Sequence, residues 1–183
     1  PPQRLYRTDG YNKYIFTVSR LQKLKRIDLL IEALSLAEDK DLKAVIIGDG
    51  PEKTNLEHLI SHLGLEKRVI LMGSAPEETV LSHFAGCLAV YFAPIREDYG
   101  FVTGEAFSCR KAVFTTTDSG GPAELVKDGH SGYICSPEPE SLAARFDELS
   151  NSSAEAERMG QNGHDYISQL TWEKAVRTLL LPR

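Results

Sequence analysis

The chain has 183 residues, 42% of them hydrophobic and 26% charged, which is the composition of a globular domain with a buried core. Its formal net charge of -5 argues against a nucleic-acid-coating surface, so we expect no nucleic-acid partner. No apolar run in the sequence approaches the roughly 20 residues that span a bilayer. The three cysteines are widely separated, which argues against a disulfide framework. Their arrangement favours a reducing, cytoplasmic compartment.

Apolar runs that predict strands alternate along the chain with segments that have the periodicity of helices. Six strands are predicted, at residues 14–19, 42–48, 68–73, 88–93, 112–117 and 132–135. Helices are predicted at 26–39, 52–63, 76–84, 100–109, within 121–129, and at 138–149, 153–168 and 171–181. Because the strands are continuously apolar, they predict an α/β fold, a doubly wound, Rossmann-like parallel sheet with helices on both faces. We expect residues 1–183 to form a single domain, with strand 88–93 central and 138–183 supplying C-terminal helices.

Ligands of such sheets bind outside the carboxyl ends of the strands, so residues that follow a strand are the better candidates. SRLQKLKR (19–26) follows the first strand and opens a helix, whose free N–H groups attract anions. Arg20 and Lys25 in this segment predict a phosphate site, although a solvated basic loop would explain the same residues. GDGPEK (48–53) follows the second strand and predicts a tight turn. It lacks the G-x-G-x-x-G order, which disfavours a redox domain that binds a nicotinamide cofactor.

Three other groups of residues are predicted to be structural. The triplet Asp39-Lys40-Asp41 has a spacing that can hold a divalent metal, but it precedes the second strand and so lies at the wrong edge of the sheet. His58 and His62 are one helical turn apart on the polar side of their helix, without a third ligand. Cys109 is expected to be a buried residue of a close-packed helix. We therefore predict no metal site and no cofactor.

REDYGFVTGEA (96–106) connects the fourth predicted strand to a helix and places Glu97 and Glu105 on either side of a glycine-aromatic turn. Carboxylates near a helix N-terminus complement its dipole by about 0.3–1 kcal/mol each, which explains either acid alone. It does not explain Gly100 and Gly104, which would let a ligand approach the backbone closely. Because charged acceptors bind hydroxyl groups strongly, we interpret Glu97 and Glu105 as acceptors for sugar hydroxyls.

Taken in chain order, these motifs resemble the C-terminal, donor-binding domain of a retaining glycosyltransferase of family 4, which has the GT-B fold. Glu97-x7-Glu105 resembles the E-x7-E motif of that family, and SRLQKLKR resembles its Arg/Lys phosphate motif. The resemblance extends from residue 14 to about residue 175. It also includes VIIGDGP (45–51), TTDSGGPAELVKDGHSGYIC (116–135) and Trp172.

The resemblance implies a role for each candidate residue. Arg20 and Lys25 would hold the diphosphate of a nucleotide sugar and neutralise it as it leaves. Glu97 would bind a hydroxyl of the donor sugar, and Glu105 would accept hydrogen bonds from the ribose. Glu97, Arg20 and Lys25 would thus be the catalytic residues. Further donor contacts would come from Gly100, Phe101, Val102 and Gly121 near the sugar and phosphate, and from Gly73 and Ser74 near the base.

The resemblance also implies catalysis without a metal, in a cleft between two Rossmann-like domains of which this chain supplies one. We therefore expect a fragment that binds a nucleotide sugar but has little or no activity alone, because the acceptor would be held by a missing N-terminal domain. Contact with the inner face of a membrane is expected only through that absent domain. The alternative is a stand-alone, non-catalytic nucleotide-sugar-binding module. A second Rossmann-like domain upstream in the parent gene would exclude it.

Several positions depart from the pattern of that family. The family usually has Gly where this chain has Arg26 and Arg110, Pro where it has Ala112, and Gly-Phe where it has Asp98-Tyr99. We expect Arg26 to add positive charge near the phosphates and the other departures to alter the shape of the sugar pocket.

Overall fold

The computed structural model describes residues 10–170, in which six strands alternate with helices along the chain. The strands are β1 (Asn12–Val18), β2 (Lys43–Ile47), β3 (Val69–Gly73), β4 (Cys87–Tyr91), β5 (Ala112–Thr116) and β6 (Gly132–Cys135). The helices are α1 (Ile27–Leu36), α2 (Lys53–His62), α3 (Glu77–Gly86), α4 (Phe101–Ser108), α5 (Gly121–Leu125), α6 (Pro139–Ser150) and α7 (Ser153–Ile167), with a 3-10 turn at Lys23–Lys25. The predicted helix at 171–181 and Trp172 lie outside the described residues.

The strands form one sheet in the order β3-β2-β1-β4-β5-β6, and each neighbouring pair is parallel. The predicted fold and the central position of β4 are therefore confirmed. From β1 the chain builds toward one edge of the sheet, and from β4 it builds toward the other. The loops that leave β1 and β4 consequently diverge, which opens a crevice at their carboxyl ends, where ligands bind in sheets of this kind.

Two apolar clusters, one on each face of the sheet, form the core. Successive residues of β1 point to opposite faces. Ile15 belongs to the cluster that includes residues of α1, α2 and α6, whereas Phe16 belongs to the cluster with Phe84 of α3 and Phe107 of α4. Both β1 residues are fully buried. Burial on both faces explains why this strand is continuously apolar. No helix within residues 10–170 has the length and apolarity that crossing a membrane requires.

The predicted helix at 26–39 ends earlier than its periodicity indicated. Helix α1 stops at Leu36 because the carboxylate of Asp147 accepts the N–H groups of Glu38 and Asp39, which holds these residues outside the helix. Helix α5 ends at Leu125, within the segment 121–129 where a helix was predicted, and residues 127–131 then form a turn that is closed by its own backbone hydrogen bonds.

The packing of α7 against the end of α4 gives a stability prediction. Gly160 of α7 faces the backbone of Arg110, and a Cβ at Gly160 would overlap the Arg110 carbonyl oxygen. Gly160→Ala is therefore expected to destabilise the domain by about 1–3 kcal/mol in urea denaturation, since overpacking against backbone cannot relax easily. Gly104→Ala is the matched control, because the nearest atom to its Cβ would be 3.9 Å away. It should stabilise α4 by about 0.5–1 kcal/mol, and equal destabilisation by both substitutions would contradict this account.

Candidate functional site

The loops that follow β1 and β4 meet at the carboxyl edge of the sheet, where the strand order reverses. Lys25, in the loop after β1, donates from Nζ to Oε2 of Glu97, in the loop after β4, over 2.6 Å. Their side chains are 19% and 30% exposed, so the ion pair is partly shielded from water. The N–H of Ile95 donates to the carbonyl of Leu24 over 2.8 Å and joins the same two loops. Arg20, the third residue predicted to be catalytic, lies exposed on the loop that carries Lys25.

The glycines of the GDGP motif support this basic loop. A Cβ on Gly48 or Gly50 would overlap the carbonyl oxygen of Ser19 or Leu21, respectively. The N–H of Leu21 also donates to the carbonyl of Asp49 over 2.9 Å. Glycine is therefore needed here because the loop after β2 lies directly against the loop after β1. The motif serves packing, and it shapes the site indirectly.

The loop that carries Glu97 is held by the turn after β5. The N–H of Glu97 donates to the carbonyl of Ser119 over 2.9 Å, and the N–H of Gly121 donates to the carbonyl of Glu97 over 2.8 Å. Gly120 has a φ of 72°, and a Cβ there would lie 2.6 Å from the Glu97 carbonyl oxygen. The glycine pair thus allows the two loops to touch. The predicted donor contact of Gly121 stays a prediction, and its amide is already donated within the chain.

Arg26, beside Lys25, forms a second ion pair at this edge. Its guanidinium contacts both carboxylate oxygens of Asp118 at 2.8 and 3.0 Å and the hydroxyl of Thr116 at 2.5 Å. Burial alone would raise the pKa of Asp118, but hydrogen bonds from Arg26 and Thr116 outweigh it and hold that pKa below its usual value. Arg26 therefore adds no net charge at the predicted phosphate site, contrary to expectation, because Asp118 neutralises it.

Helix α4 begins beside this cluster, after Gly100. The N–H of Phe101 donates to the carbonyl of Tyr99 over 3.0 Å, so this predicted donor contact is occupied within the chain. Val102 and Glu105, on the first and second turns of α4, are half-buried. Tyr99 and Phe101 are 56% and 72% exposed, and their ring centroids are 4.8 Å apart. Two aromatic rings thus border the mouth of the site.

The missing side chains of the two glycines at this helix start would face other helices of the chain, and the predicted approach of a ligand to their backbone stays a prediction. A Cβ on Gly100 would lie 3.1 Å from Pro122 of α5, so this glycine allows α5 to pack against the start of α4. The corresponding side of Gly104 faces Ile167 of α7 at 3.9 Å. Both glycines therefore face other helices at the position of the missing side chain.

The residues predicted to meet the base lie further along the same edge. Gly73 is the last residue of β3, the outermost strand on one side of the sheet, and β2 lies between β3 and β1. Its carbonyl accepts the N–H of Gly48 over 2.9 Å, and Ser74, the next residue, is exposed. The structure thus places Gly73 and Ser74 two strands away from the strand that leads to Lys25.

The groups that were predicted to be structural are placed accordingly. Asp39 binds Lys13 Nζ over 2.9 Å at the start of β1, the opposite edge of the sheet, and this hydrogen bond lowers the pKa of Asp39. His58 and His62 are exposed on α2, and Cys109 is buried. Among residues 10–170, no three His, Cys, Asp or Glu side chains come together in an arrangement that could hold a metal ion.

Sequence reasoning missed three polar residues of this edge. Asp118 follows β5, so the rule that favours residues after strands could have found it, whereas Thr116 is the last residue of β5 itself. Thr103, in the first turn of α4, is fully buried, and its hydroxyl has no hydrogen-bond partner. Nothing in the sequence distinguishes this threonine from one that bonds to its own helix.

The structure is a Rossmann-like domain with the fold of GT-B glycosyltransferases, and its basic and acidic loops pair at the switch point of the sheet. The chain belongs to the glycosyl transferases group 1, since the sequence profile of that family matches residues 6–166. It is 27% identical over 175 residues to the alpha-1,3/1,6-mannosyltransferase ALG2 of Dictyostelium discoideum, covering 85% of this chain and 41% of that protein. The chain thus spans less than half of the length of this curated relative.

Solved structures share the fold, and two of them illustrate the match. Anabaena HepE, solved in complex with UDP and glucose, superposes with a TM-score of 0.83 at 26% identity, covering 95% of this chain and 53% of HepE. The C-terminal domain of the glycosyl transferase group 1 protein LpcC of Francisella tularensis superposes with a TM-score of 0.78 at 27% identity. That match covers 88% of this chain and 87% of the LpcC domain.

Proposed function

We propose that this chain is the donor-binding domain of a retaining glycosyltransferase, and that it binds a nucleotide-diphosphate sugar at the carboxyl edge of its sheet. The observation that carries the proposal is the contact of 2.6 Å between Lys25 and Glu97 at the switch point. A cation for phosphate and a carboxylate for sugar hydroxyls are needed side by side, because the two parts of the donor are covalently joined. Transfer to an acceptor would require a second domain, which would complete the cleft.

The residues divide into a phosphate end and a sugar end. Lys25 and the exposed Arg20 would bind the diphosphate and stabilise its charge as the glycosidic bond breaks. Glu97 would accept from a hydroxyl of the donor sugar, and Glu105, one turn into α4, would accept from the ribose. Because two cations are available to neutralise the leaving diphosphate, we propose that transfer needs no metal. The retaining outcome rests on the family resemblance, and the anomeric configuration of the product of the full-length enzyme would test it.

Titration of the chain with nucleotides tests the proposal directly. UDP, GDP, ADP and their glucose conjugates would be added to the 15N-labelled 183-residue chain, with NADH as a negative control. UDP is the first candidate because the related HepE was solved with UDP and glucose. We expect one base to bind, with amide shifts concentrated at residues 19–26 and 97–105. Absence of binding by every diphosphate, or binding of NADH alone, would contradict the proposal.

A further inference from the structure

We propose that Arg26 is a positioning residue that sets the spacing between Lys25 and Glu97. The inference rests on the proposed function, because that spacing matters only if one ligand spans both side chains. Arg26 adopts a left-handed conformation with φ 49° and ψ 46°, which is uncommon for a residue with a side chain. A glycine would take this conformation without strain, so the arginine side chain is retained at a conformational cost.

The guanidinium of Arg26 ties together the ends of two strands. Its Nε donates to the carbonyl of Ala93 over 2.7 Å, and Nη2 donates to the carbonyl of Pro94 over 3.2 Å, just beyond β4. The same group binds Thr116, the last residue of β5, and Asp118 just beyond that strand. Its side chain is only 12% exposed. The planar fork of five N–H donors suits this set of acceptors, which an ammonium group could not bridge at once.

These contacts belong to a closed series of interactions that links the loops of the candidate site. Arg26 holds Asp118, and the carbonyl of Asp118 accepts the N–H of Arg96 over 3.1 Å, next to Glu97. The carboxylate of Glu97 returns to Lys25, which is the chain neighbour of Arg26. The buried hydroxyl of Tyr91 donates to the carbonyl of Arg26 over 2.7 Å and fixes the backbone of this residue as well. Removing Arg26 therefore loosens the link between the loop of Lys25 and the loop of Glu97 without removing either functional group, although the hydrogen bond from Ile95 to Leu24 and the ion pair itself still join the two loops.

This geometry predicts that loss of Arg26 changes the affinities for two ligands differently. A nucleoside diphosphate would use the phosphate end alone and needs no fixed distance to Glu97. A nucleotide sugar would use both ends, so it loses affinity when their spacing is no longer set, as misplacement of binding groups by about 1 Å is costly. Loss of Arg26 should thus affect the sugar conjugate selectively, whereas a general loss of stability would affect both ligands alike.

The test compares Arg26→Gly with Arg110→Gly in the 183-residue chain. Arg110 is also left-handed, with φ 54°, but it precedes β5 and so lies at the opposite edge of the sheet from the candidate site. Its side chain contacts Gln161 and His164 of α7. The structure therefore does not place Arg110 in the sugar pocket, contrary to our expectation, and Arg110 serves as the matched control. Calorimetry would give Kd values for UDP and UDP-glucose, or for the corresponding pair with the base that binds. For Arg26→Gly we expect about tenfold weaker binding of the sugar conjugate and a change within about threefold for the diphosphate. Arg110→Gly should leave both within about twofold.

Arg26→Lys tests whether the contacts of the Arg26 guanidinium or only its positive charge is needed. It keeps the positive charge but not the fork, so it should show a similar selective loss and shift the amides of Glu97, Gly120 and Gly121 in the free protein. Full recovery of UDP-glucose binding in Arg26→Lys would overturn the inference, as would equal losses for both ligands in Arg26→Gly. If Arg26→Gly is unfolded, Arg26→Lys decides alone. If the unmodified chain binds neither ligand, the proposed function fails and the inference fails with it; normal binding by every variant overturns the inference alone.

Discussion

Replacing Lys25 with alanine is expected to weaken nucleoside diphosphate binding by the chain roughly ten- to a hundredfold. Hydrogen bonds to charged groups contribute about 1.5–3 kcal/mol, and each 1.4 kcal/mol is about tenfold in affinity. Lys25 Nζ is partly shielded from water and already makes one charge-assisted bond of 2.6 Å, so it is positioned for a second anion. Its removal also leaves the Glu97 carboxylate unpaired beside the phosphates. Calorimetry with the diphosphate and with the bare nucleoside measures the effect.

Lys23→Ala is the matched control for this prediction. Lys23 lies on the same 3-10 turn and carries the same charge, but its side chain is exposed. Exposed charges are screened by water and salt, so we expect its removal to change diphosphate affinity by about twofold or less. Similar losses in the two variants would mean that the turn acts only through its total charge. Loss of nucleoside binding in Lys25→Ala would instead place this lysine near the base.

The sheet and its order of elements were predictable because the core imposes a simple pattern on the chain. Each residue of β4 is buried, and continuous burial of a short strand requires cover on both faces. The same logic located the candidate residues, since a parallel sheet gathers the carboxyl ends of its strands at one edge. Lys25 and Glu97 follow two different strands, and they do meet at that edge.

The pairings between side chains were not predictable in the same way. Lys25 and Glu97 are 72 residues apart, and Arg26 and Asp118 are 92 residues apart. No periodicity in one sequence links positions so distant, because their contact depends on how the loops leave neighbouring strands. The charge of Arg26 was therefore expected at the phosphates, whereas Asp118 neutralises it.

Gly100 and Gly104 show a second limit. A glycine at a helix start indicates that some group comes close, but the sequence does not say which group. The residue that lies close to Gly100 is Pro122 of the same chain, and the residue that lies close to Gly104 is Ile167. Helix ends were misjudged for a related reason, since α1 ends where the carboxylate of Asp147, a residue 109 positions from Glu38, accepts backbone N–H groups.

Replacing Glu97 with glutamine is expected to change the binding of two ligands in opposite directions. Glutamine keeps the size of the side chain but removes its charge, so Lys25 is released from the ion pair and repulsion of the diphosphate falls. Partly exposed ion pairs contribute about 0.2–1 kcal/mol, so diphosphate affinity should rise up to about fivefold. The nucleotide sugar should bind roughly tenfold more weakly, because a charged acceptor for its hydroxyl is lost.

Glu105→Gln is the matched control, since it makes the same chemical change one turn into α4. The ribose is common to both ligands, so this substitution should weaken the diphosphate and the nucleotide sugar by a similar factor. A two-by-two titration of the two variants against the two ligands separates the roles. Weaker diphosphate binding in Glu97→Gln would show that this carboxylate assists the phosphate end, and the division between sugar and phosphate would be wrong. In the full-length enzyme, Glu97→Gln should also lower kcat more than donor affinity, because contacts to the sugar strengthen as the anomeric carbon gains positive charge.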